Sequence, residues 1–283
     1  MQLFHYSGPG VNISRTVDTR PLPDHFTMHT HTYAEVYFFL SGRGTFHIEG
    51  NAYPLTQGDV LLMRPAEAHC IEVDPQTPYD RVVINFDTSL FSSIDPDGAL
   101  TRPLFSRKAG TLNLYHRQDF DEAQYDACLQ GMLRSNGNRA VSLAHLILLL
   151  QQISVIFSDR PMLEASGTVE QEIIQYINKN LHRELNLQLL CDKFYISRAQ
   201  LCRRFQKATG TSVGKYINVK RLLACRQLIQ EGEKPSKVYA AYGYRDYSTF
   251  YRAYTRQFGQ SPGQKTPTEP ERINLNGKPE PQT

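Results

Sequence analysis

Two helix-turn-helix patterns in tandem occupy the C-terminal third of the chain, and they constrain its fold more than any other feature. The first pattern spans residues 187–205, and the second spans residues 236–258. Each consists of a short apolar helix, a tight turn and a second helix that begins at Ser or Asp and carries arginines. This arrangement places the second helix in the major groove of DNA. Two copies therefore predict a chain that contacts two adjacent segments of the groove.

An alternating pattern of apolar and polar residues runs from about Met28 to Phe86. Turn residues interrupt it at short intervals, as in Ser41–Gly44 and Glu49–Asn51. The predicted strands span residues 35–40, 45–48, 60–63, 70–73 and 81–86. Short strands at a spacing of roughly ten residues predict a small β-barrel or a double-sheet jelly roll.

Two helices are predicted after the strands, over residues 119–134 and 139–157. Two interpretations of the wide apolar face of the second helix are open: it packs on the barrel, or it forms the seam of a dimer. Two glutamines interrupt its apolar run 146–150, which predicts a stretch too short to span a bilayer. The first residues, Met1–Tyr6, lack the basic stretch and the apolar run of a signal peptide. We therefore expect a cytoplasmic, nucleoid-associated protein without a membrane partner.

Charge is distributed unevenly along the chain. Residues 1–167 carry 12 Lys/Arg and 18 Asp/Glu, whereas residues 168–265 carry 17 Lys/Arg and 7 Asp/Glu. A basic segment joined to an acidic one suggests a nucleic-acid partner for the basic part. The five cysteines show no C-x-x-C spacing, and this pattern suits a reducing cytosol rather than a disulfide framework.

The shifts in periodicity and charge divide the chain into six segments. We predict an N-terminal arm (1–20), a barrel (21–115), a helical dimerisation segment (116–158), a linker (159–167), a DNA-binding domain (168–265) and a disordered tail (266–283). Pro161 and Gly167 mark the linker. Thr168 and Gln171 have the spacing of a capping box at the start of the basic domain. Four prolines mark the tail.

The basic domain resembles the DNA-binding domain of the AraC/XylS family of transcription regulators over residues 168–265. The elements that carry the resemblance are, in order, 205–210, 213–230 with Arg221 and Ala224, Gly243-Tyr244, Phe250–Arg252 and Phe258–Pro262. The resemblance implies two helix-turn-helix units bridged by a rigid helix. It also implies that both recognition helices reach consecutive segments of the major groove.

The two recognition helices offer two sets of side chains to DNA. Leu201 and Phe205 lie one turn apart and should face the core, as should Phe250 and Tyr254. The opposite faces and the family's motif positions give the candidate DNA-binding residues Arg198, Ala199, Gln200, Arg203, Arg204, Lys207, Tyr247, Ser248, Tyr251, Arg252 and Arg256. Arg and Gln bind guanine and adenine edges through paired hydrogen bonds. For each residue, a phosphate contact or a solvated charge is the alternative role.

The barrel segment resembles the two short motifs of the cupin superfamily. The matching residues are His29, His31, Glu35, Gly42, Gly58-Asp59, Pro65 and His69. Metal sites of that family use the residues that correspond here to His29, His31, Glu35 and His69. Three imidazoles and a carboxylate suit Fe, Mn, Zn, Ni or Cu. The chain departs from the second motif at Glu67, where the family often has glycine.

Three interpretations of this polar cluster are open: a pocket for a small polar effector, a divalent transition-metal site, or a structural hydrogen-bonded cluster. The effector is favoured, because sensory barrels of AraC-like regulators resemble cupins but commonly bind organic ligands, often sugars, without metal. The candidate effector-binding residues are His29, His31, Tyr33, Glu35, Tyr37, His47, His69 and Arg81. By analogy with the family, the N-terminal arm is expected to fold over the pocket.

These observations predict an α+β multidomain protein: a cupin-like jelly-roll barrel, a helical dimerisation segment and an all-α domain with two helix-turn-helix units. We expect a ligand-responsive, sequence-specific transcription regulator of a carbohydrate uptake or catabolism operon, not an enzyme, without a cofactor. Its expected partners are double-stranded operator DNA, a small polar effector such as a sugar, a second copy of the chain, and RNA polymerase. The alternative is a metal-dependent cupin enzyme or a metal-sensing regulator that uses His29, His31, Glu35 and His69.

Overall fold

Two facing β-sheets form the N-terminal half of the computed structural model, which describes residues 1–22, 26–160, 168–264 and 273–275. The larger sheet has the order β1 (Gln2–Gly8), β2 (Val11–Asp18), β9 (Tyr79–Phe86), β4 (Ala34–Ser41), β7 (Val60–Met63) and β10 (Leu114–Tyr115). The smaller sheet has the order β11 (Ile273–Asn274), β3 (His29–Thr30), β8 (His69–Val73), β5 (Gly44–Ile48) and β6 (Asn51–Pro54). The predicted cupin-like, double-sheet domain is confirmed.

Successive side chains on the strands point into two different cores, as the pleat requires. Tyr37, Phe39 and Phe46 point between the two sheets and fill the barrel interior. Val36 and Phe38 point to the other face of the larger sheet, where helices cover them. All five side chains are at most 4% exposed. Burial of each stabilises the fold by about 1.5–3 kcal/mol.

The helices that cover the larger sheet are α1 (Arg102–Phe105), α2 (Glu122–Leu133) and α3 (Arg139–Ser158). Asn138 begins α3 by accepting hydrogen bonds from two backbone N–H groups of the first turn. Leu146, Leu150 and Ile153 of α3 are fully buried in the core beneath the sheet. This side of α3 therefore packs on the barrel, as one of the two interpretations of its apolar face predicted.

The prediction that this apolar stretch is too short to cross a bilayer is wrong, because helix α3 continues through both glutamines. Helix α3 has 20 residues, an 18-residue stretch of it has a mean hydropathy of 2.0, and among the described residues it alone passes the length and composition test for a membrane span. A core helix can pass the same test. Gln152 is itself buried, and its amide approaches the Cys128 sulfur at 3.8 Å.

The predicted N-terminal arm is instead part of the larger sheet. Strand β2 pairs with β9 along its whole length, from Val11 opposite Phe86 to Asp18 opposite Tyr79. Its side chains Val11 and Ile13 are fully buried, which explains why the segment is held in the sheet. This arrangement replaces the expectation of an arm that folds over a pocket.

The predicted disordered tail contains a short ordered segment. Strand β11 pairs with β3, with Ile273 opposite Thr30 and Asn274 opposite His29. Ile273 and Leu275 are at most 2% exposed, so apolar burial accounts for the order that the polar, proline-containing composition did not predict. The other residues of the tail and residues 161–167 of the predicted linker lie outside the described part of the chain.

Six helices form the C-terminal domain over the described residues 168–264. They are α4 (Val169–Lys179), α5 (Leu187–Phe194), α6 (Arg198–Thr209), α7 (Val213–Gln230), α8 (Pro235–Ala241) and α9 (Tyr247–Phe258). Thr168 and Gln171 form the predicted capping box of α4. The predicted core positions Leu201, Phe205 and Phe250 are at most 1% exposed. The all-α domain with two helix-turn-helix units is thus confirmed.

Candidate nucleic-acid interface and effector site

Helix α6 presents the first set of predicted DNA-binding side chains to solvent. Arg198, Ala199, Gln200, Arg203, Arg204 and Lys207 are all exposed. Two of them already have partners within the domain. The Gln200 side-chain oxygen accepts the backbone N–H of Ser197 at 3.2 Å, which closes the capping box. The Arg204 guanidinium binds Glu170 of α4 at 2.5 and 3.2 Å, and its hydrogen bond lowers the pKa of that carboxyl.

Helix α9 presents the second set. Tyr247, Ser248, Tyr251, Arg252 and Arg256 are exposed on it. Its N-cap is the Asp246 side chain, which accepts the Thr249 backbone N–H at 2.7 Å. That hydrogen bond is the main cause of the lowered pKa of Asp246. The Tyr239 ring of α8 packs against Tyr247 and Phe250 at centroid distances of 5.7 and 6.2 Å, so α8 accommodates this large side chain.

Helix α7 fixes the two units relative to each other, mainly through Arg221. Its guanidinium donates to the Leu181 and Arg183 carbonyl oxygens at 2.9 and 2.6 Å, in the connection before the first unit. The same side chain lies against the turn of the second unit, where a Cβ at Gly243 would come within 3.0 Å of it. Gly243 also has φ of +79°, which favours glycine. The recognition helices are therefore held on a common support.

The sensory domain brings together four of the predicted effector residues in one buried cluster, the His cluster (His29, His31, Glu35 and His69). The ring centroids of His29 and His31 lie 4.4 and 5.0 Å from that of His69. One nitrogen from each ring falls within 4.8 Å of the others. All four residues are at most 9% exposed.

The backbone sets the orientation of these three rings. The Nδ1 atoms of His29, His31 and His69 lie 2.9, 2.8 and 2.9 Å from the carbonyl oxygens of Thr27, Tyr33 and Glu67. Because a carbonyl oxygen only accepts, each Nδ1 carries a proton, and Nε2 is the nitrogen available to a metal. The His31 Nε2 atom lies 3.0 Å from the Glu35 carboxylate. With Nδ1 already donating, this contact needs either a proton held between the ring nitrogen and the carboxyl oxygen or a cation shared by both.

Two of the other four predicted effector residues, His47 and Arg81, lie apart from the His cluster. His47 faces the outer side of β5 and contacts Glu72 at 3.3 Å, because its neighbours Phe46 and Ile48 take the inward positions. Arg81 forms an ion pair with Asp18 at 2.6 Å. It pairs with Phe39, four residues from Glu35 along β4, which is about 13 Å away. The structure therefore does not bring His47 and Arg81 into a common site with the His cluster.

The two tyrosines predicted to bind effector occupy different places. The Tyr37 ring packs on Phe46 inside the barrel, with a centroid distance of 4.9 Å. Tyr33 lies outside the barrel, in a cleft between the two domains.

Two family comparisons cover both halves of the chain. Residues 16–151 match the AraC-like ligand binding domain, and residues 190–266 match a helix-turn-helix domain. The chain belongs to the AraC family of transcription regulators.

Two RhaS proteins that match most of this chain support the same placement. The HTH-type transcriptional activator RhaS of Shigella flexneri is 23% identical over 261 residues, which cover 90% of this chain and 92% of RhaS. RhaS of Escherichia coli O6:H1 is 25% identical over 268 residues, with the same coverage. Among solved structures, ToxT from Vibrio cholerae matches 90% of this chain and 97% of its own, with 12% identity and a TM-score of 0.39. Because the matched family and the RhaS proteins are transcription regulators, this AraC-family chain is not an enzyme, and the alternative of a metal-dependent enzyme is wrong.

A buried ion pair joins the two domains of this AraC-family protein, and sequence reasoning did not find it. The Glu49 carboxylate lies at the turn of the β5–β6 hairpin and accepts from Lys220 and Tyr216 of α7. It also accepts from Asn178 of α4 at 3.2 Å and from the Ala68 backbone N–H at 2.7 Å. The side chains of Glu49 and Lys220 are 0% and 6% exposed. The sequence signal was the Glu49–Asn51 turn, which predicted a hairpin but no contact.

The hairpin turn also approaches the DNA-binding domain closely. A Cβ at Gly50 would lie 2.7 Å from the Ile174 side chain of α4, and Gly50 has φ of +81°. Burial raises the pKa of the Tyr216 hydroxyl well above its usual value, and the Glu49 charge raises it further. The proton therefore stays on Tyr216, whose hydroxyl donates a hydrogen bond to Glu49.

A cleft of about 800 Å³ opens beside this ion pair, with walls from both domains. The residues from the sensory domain include Tyr33, Glu49, Arg64, Glu67, Thr88, Ser89 and Phe105. Those from the DNA-binding domain include Asn178, Lys220, Leu223, Ala224, Gln227 and Glu231.

Glu67, the residue that departs from the cupin motif, anchors a second buried ion pair. Its carboxylate binds the Arg107 guanidinium at 2.6 and 2.8 Å, and both side chains are fully buried. It also accepts the Gly110 backbone N–H at 2.7 Å and the Asn113 amide at 3.1 Å. Burial alone would raise the pKa of Glu67, but the charge and hydrogen bonds of Arg107, with Arg64, lower it to about 2. This network holds the loop after α1 against β7.

Proposed function

We propose that this AraC-family regulator activates a carbohydrate uptake or catabolism operon, with α6 and α9 as its base-reading helices. It acts as a cytoplasmic, nucleoid-associated homodimer that binds a sugar effector and contacts RNA polymerase at the promoter. The observation that carries the proposal is the pair of exposed, arginine-bearing helices held on α7 by Arg221. Selection of bound sequences from a random DNA pool tests it. We expect this selection to enrich one sequence motif whose bases lie in two adjacent segments of the major groove.

Arg203→Ala and Arg252→Ala are expected to relax sequence preference, each at one base position and by about 1–3 kcal/mol. Both side chains are exposed on the recognition helices. Binding to a complete set of single-base operator variants measures the effect. Arg204→Ala is the matched control on the same helix, because Glu170 already holds that guanidinium. An equal loss of affinity on every sequence would instead make the replaced arginine a phosphate contact.

The geometry of the His cluster favours a second candidate function, a regulator that senses a divalent transition metal. The Nε2 atoms of His29, His31 and His69, with the Glu35 carboxylate, would hold the ion. The fixed Nδ1 protons and the short His31–Glu35 contact fit such an ion. A bound cation would neutralise the carboxylate and stabilise the folded barrel. The operon would then be regulated by metal instead of sugar.

In this second candidate function, manganese, nickel or zinc at about 100 times its Kd stabilises the protein by about 2.7 kcal/mol. The melting temperature then rises by about 5–10 °C for a domain of this size. Thermal unfolding of chelator-treated protein, with and without each metal, measures the rise. His69→Ala should abolish it, and His47→Ala, an imidazole on the outer face of the barrel, should preserve it. Equal melting temperatures with and without metal would leave the cluster as an effector or structural site.

The homodimer is proposed to form through the outer face of α3. Val141, Leu148 and Val155 are 38%, 54% and 50% exposed, and they are spaced by seven residues. Ala144 and Gln151 lie between them at the remaining seam positions of a heptad repeat. The second interpretation of the apolar helix, the seam of a dimer, therefore applies to this outer face.

Leu148→Glu is expected to raise the dimer dissociation constant at least about tenfold, because it places a charge in the centre of the seam. Sedimentation equilibrium measures the constant. Ile94→Glu, at a 59% exposed apolar residue in the loop before α1 and outside the proposed seam, is the matched control. An unchanged dimer in the Leu148→Glu variant would move the interface elsewhere.

A further inference from the structure

We propose that the cleft between the sensory and DNA-binding domains is the binding site of a small, neutral, polyhydroxylated ligand of the sugar class. The ligand would contact both domains and so change how they dock. This inference rests on the proposed response to a sugar and assigns that response a site that differs from the His cluster.

Buried side chains fill the barrel interior, so the cleft is the better place for such a ligand. Inside the barrel, Phe39, Met63 and Val83 are at most 8% exposed and pack with the aromatic residues described above. Small-molecule sites usually have a volume of about 300–1,000 Å³ and often lie at domain interfaces. The cleft, at about 800 Å³ and with walls from two domains, fits both criteria.

The chemistry of the walls suits a sugar. Tyr33 and Phe105 offer aromatic faces, and Phe105 is 52% exposed. Ring faces pack on the apolar C–H face of a pyranose, while hydroxyl and amide groups bind its polar edge. Thr88, Asn178 and Gln227 supply such groups from both walls.

The charges in the cleft favour a neutral ligand over an ionic one. Lys220 is paired with Glu49, and Arg64 lies 3.9 Å from Glu67, which Arg107 also binds. Glu231 accepts a hydrogen bond from Gln227 at 3.0 Å. Both lining cations, Lys220 and Arg64, are thus matched by carboxylates, and the lining anion Asp87 accepts the Ser89 backbone N–H at 2.9 Å. Hydroxyl groups can therefore bind the remaining lone pairs and protons without leaving a buried charge unpaired.

Occupancy of the cleft would act directly on the contact between the domains. Lys220 and Glu49 line the cleft and also form the ion pair that joins the hairpin turn to α7. Helix α7 in turn supports both recognition helices. A ligand that binds the docked arrangement more tightly than the separated one shifts the population between them, and with it the affinity for DNA.

The chain contains no tryptophan, so a single introduced tryptophan reports on the cleft. Phe105→Trp places the indole in the cleft wall, and Ser89→Trp is a second reporter at an exposed position. Gln76→Trp, at an exposed turn outside the cleft, is the control. Each protein is titrated with aldopentoses, aldohexoses, 6-deoxyhexoses and hexuronic acids. We expect a saturable change in emission with one neutral sugar class for both cleft reporters and none for the control.

Two further variants locate the ligand. Gln227→Ala in the Phe105→Trp background should raise the sugar Kd by about tenfold. His31→Gln in the same background should leave it within about twofold. The reverse pattern would place the ligand at the His cluster and overturn the proposal. No emission change with any sugar, in protein that still selects its DNA motif, would overturn the ligand class while the DNA-binding function stands.

Discussion

Lys220→Met is expected to lower the free energy of unfolding by about 3–5 kcal/mol, because it leaves the buried Glu49 carboxylate without its cation. The pair is almost completely removed from solvent, with side-chain exposures of 6% and 0%. Lys220 also donates to the Ala66 carbonyl oxygen, so the substitution removes a second contact between the domains. Urea unfolding of the full chain measures the loss. Because the pair joins two domains, we also expect the single transition to separate into two.

Two controls separate the ion pair from general damage to α7. Lys215→Met replaces an exposed lysine of the same helix and should change the free energy by less than about 0.5 kcal/mol. The double variant Glu49→Gln/Lys220→Met removes both charges and should recover part of the loss. Glu49→Gln alone gives the reference loss. If adding Glu49→Gln to Lys220→Met lowers the free energy of unfolding by that same loss, the two groups act independently.

Acidification is expected to remove about 3 kcal/mol of stability through Glu67, at about 1.4 kcal/mol per pKa unit. The pKa of Glu67 is lowered from 4.5 to about 2 in the folded protein. A lowered folded-state pKa contributes stability that is fully present above the unfolded value and is lost as the pH falls. The window of loss therefore lies between about pH 4.5 and about pH 2. Urea unfolding at a series of pH values measures the slope.

Arg107→Met tests the cause of this pH dependence. Without the guanidinium, burial dominates and raises the pKa of Glu67, so the carboxylate no longer stabilises the fold at neutral pH. We expect a loss of about 3–5 kcal/mol at pH 7 and a flatter profile in acid. Glu122→Gln is the control, since that carboxylate is 84% exposed beside Arg117. An acid slope unchanged by Arg107→Met would assign the slope to other carboxylates.

Local sequence patterns were sufficient for the DNA-binding domain. Helix α5 begins at Leu187, where the first predicted pattern begins, and Ser197 and Asp246 cap α6 and α9. Caps, turns and a 3.6-residue period act between neighbours in the chain, so the sequence displays them directly. In the same way, the strand pattern of residues 60–63 became β7 without change.

Contacts between distant residues were beyond such patterns. The spacing of His29, His31, Glu35 and His69 predicted their meeting, but it did not exclude His47, whose outward direction follows from the register of β5. The partner of Arg81 is Asp18, 63 residues away, and the partner of Glu49 is Lys220, 171 residues away. A periodic pattern among neighbouring residues cannot predict pairs at these separations. The burial of β2 depends on β9 in the same way.

Strand β11 changes the kind of motion available to the DNA-binding domain. The chain leaves the barrel after α3 and returns to it at Ile273, where it hydrogen-bonds beside His29. The DNA-binding domain is thus an insertion between two anchors in the same barrel rather than an appendage on one connection. The Leu275 carbonyl oxygen also accepts from the Thr211 hydroxyl of the DNA-binding domain at 3.2 Å, so this second anchor restrains how far the recognition helices can reorient. One of the anchors is bonded directly to β3, the strand that carries His29 of the His cluster.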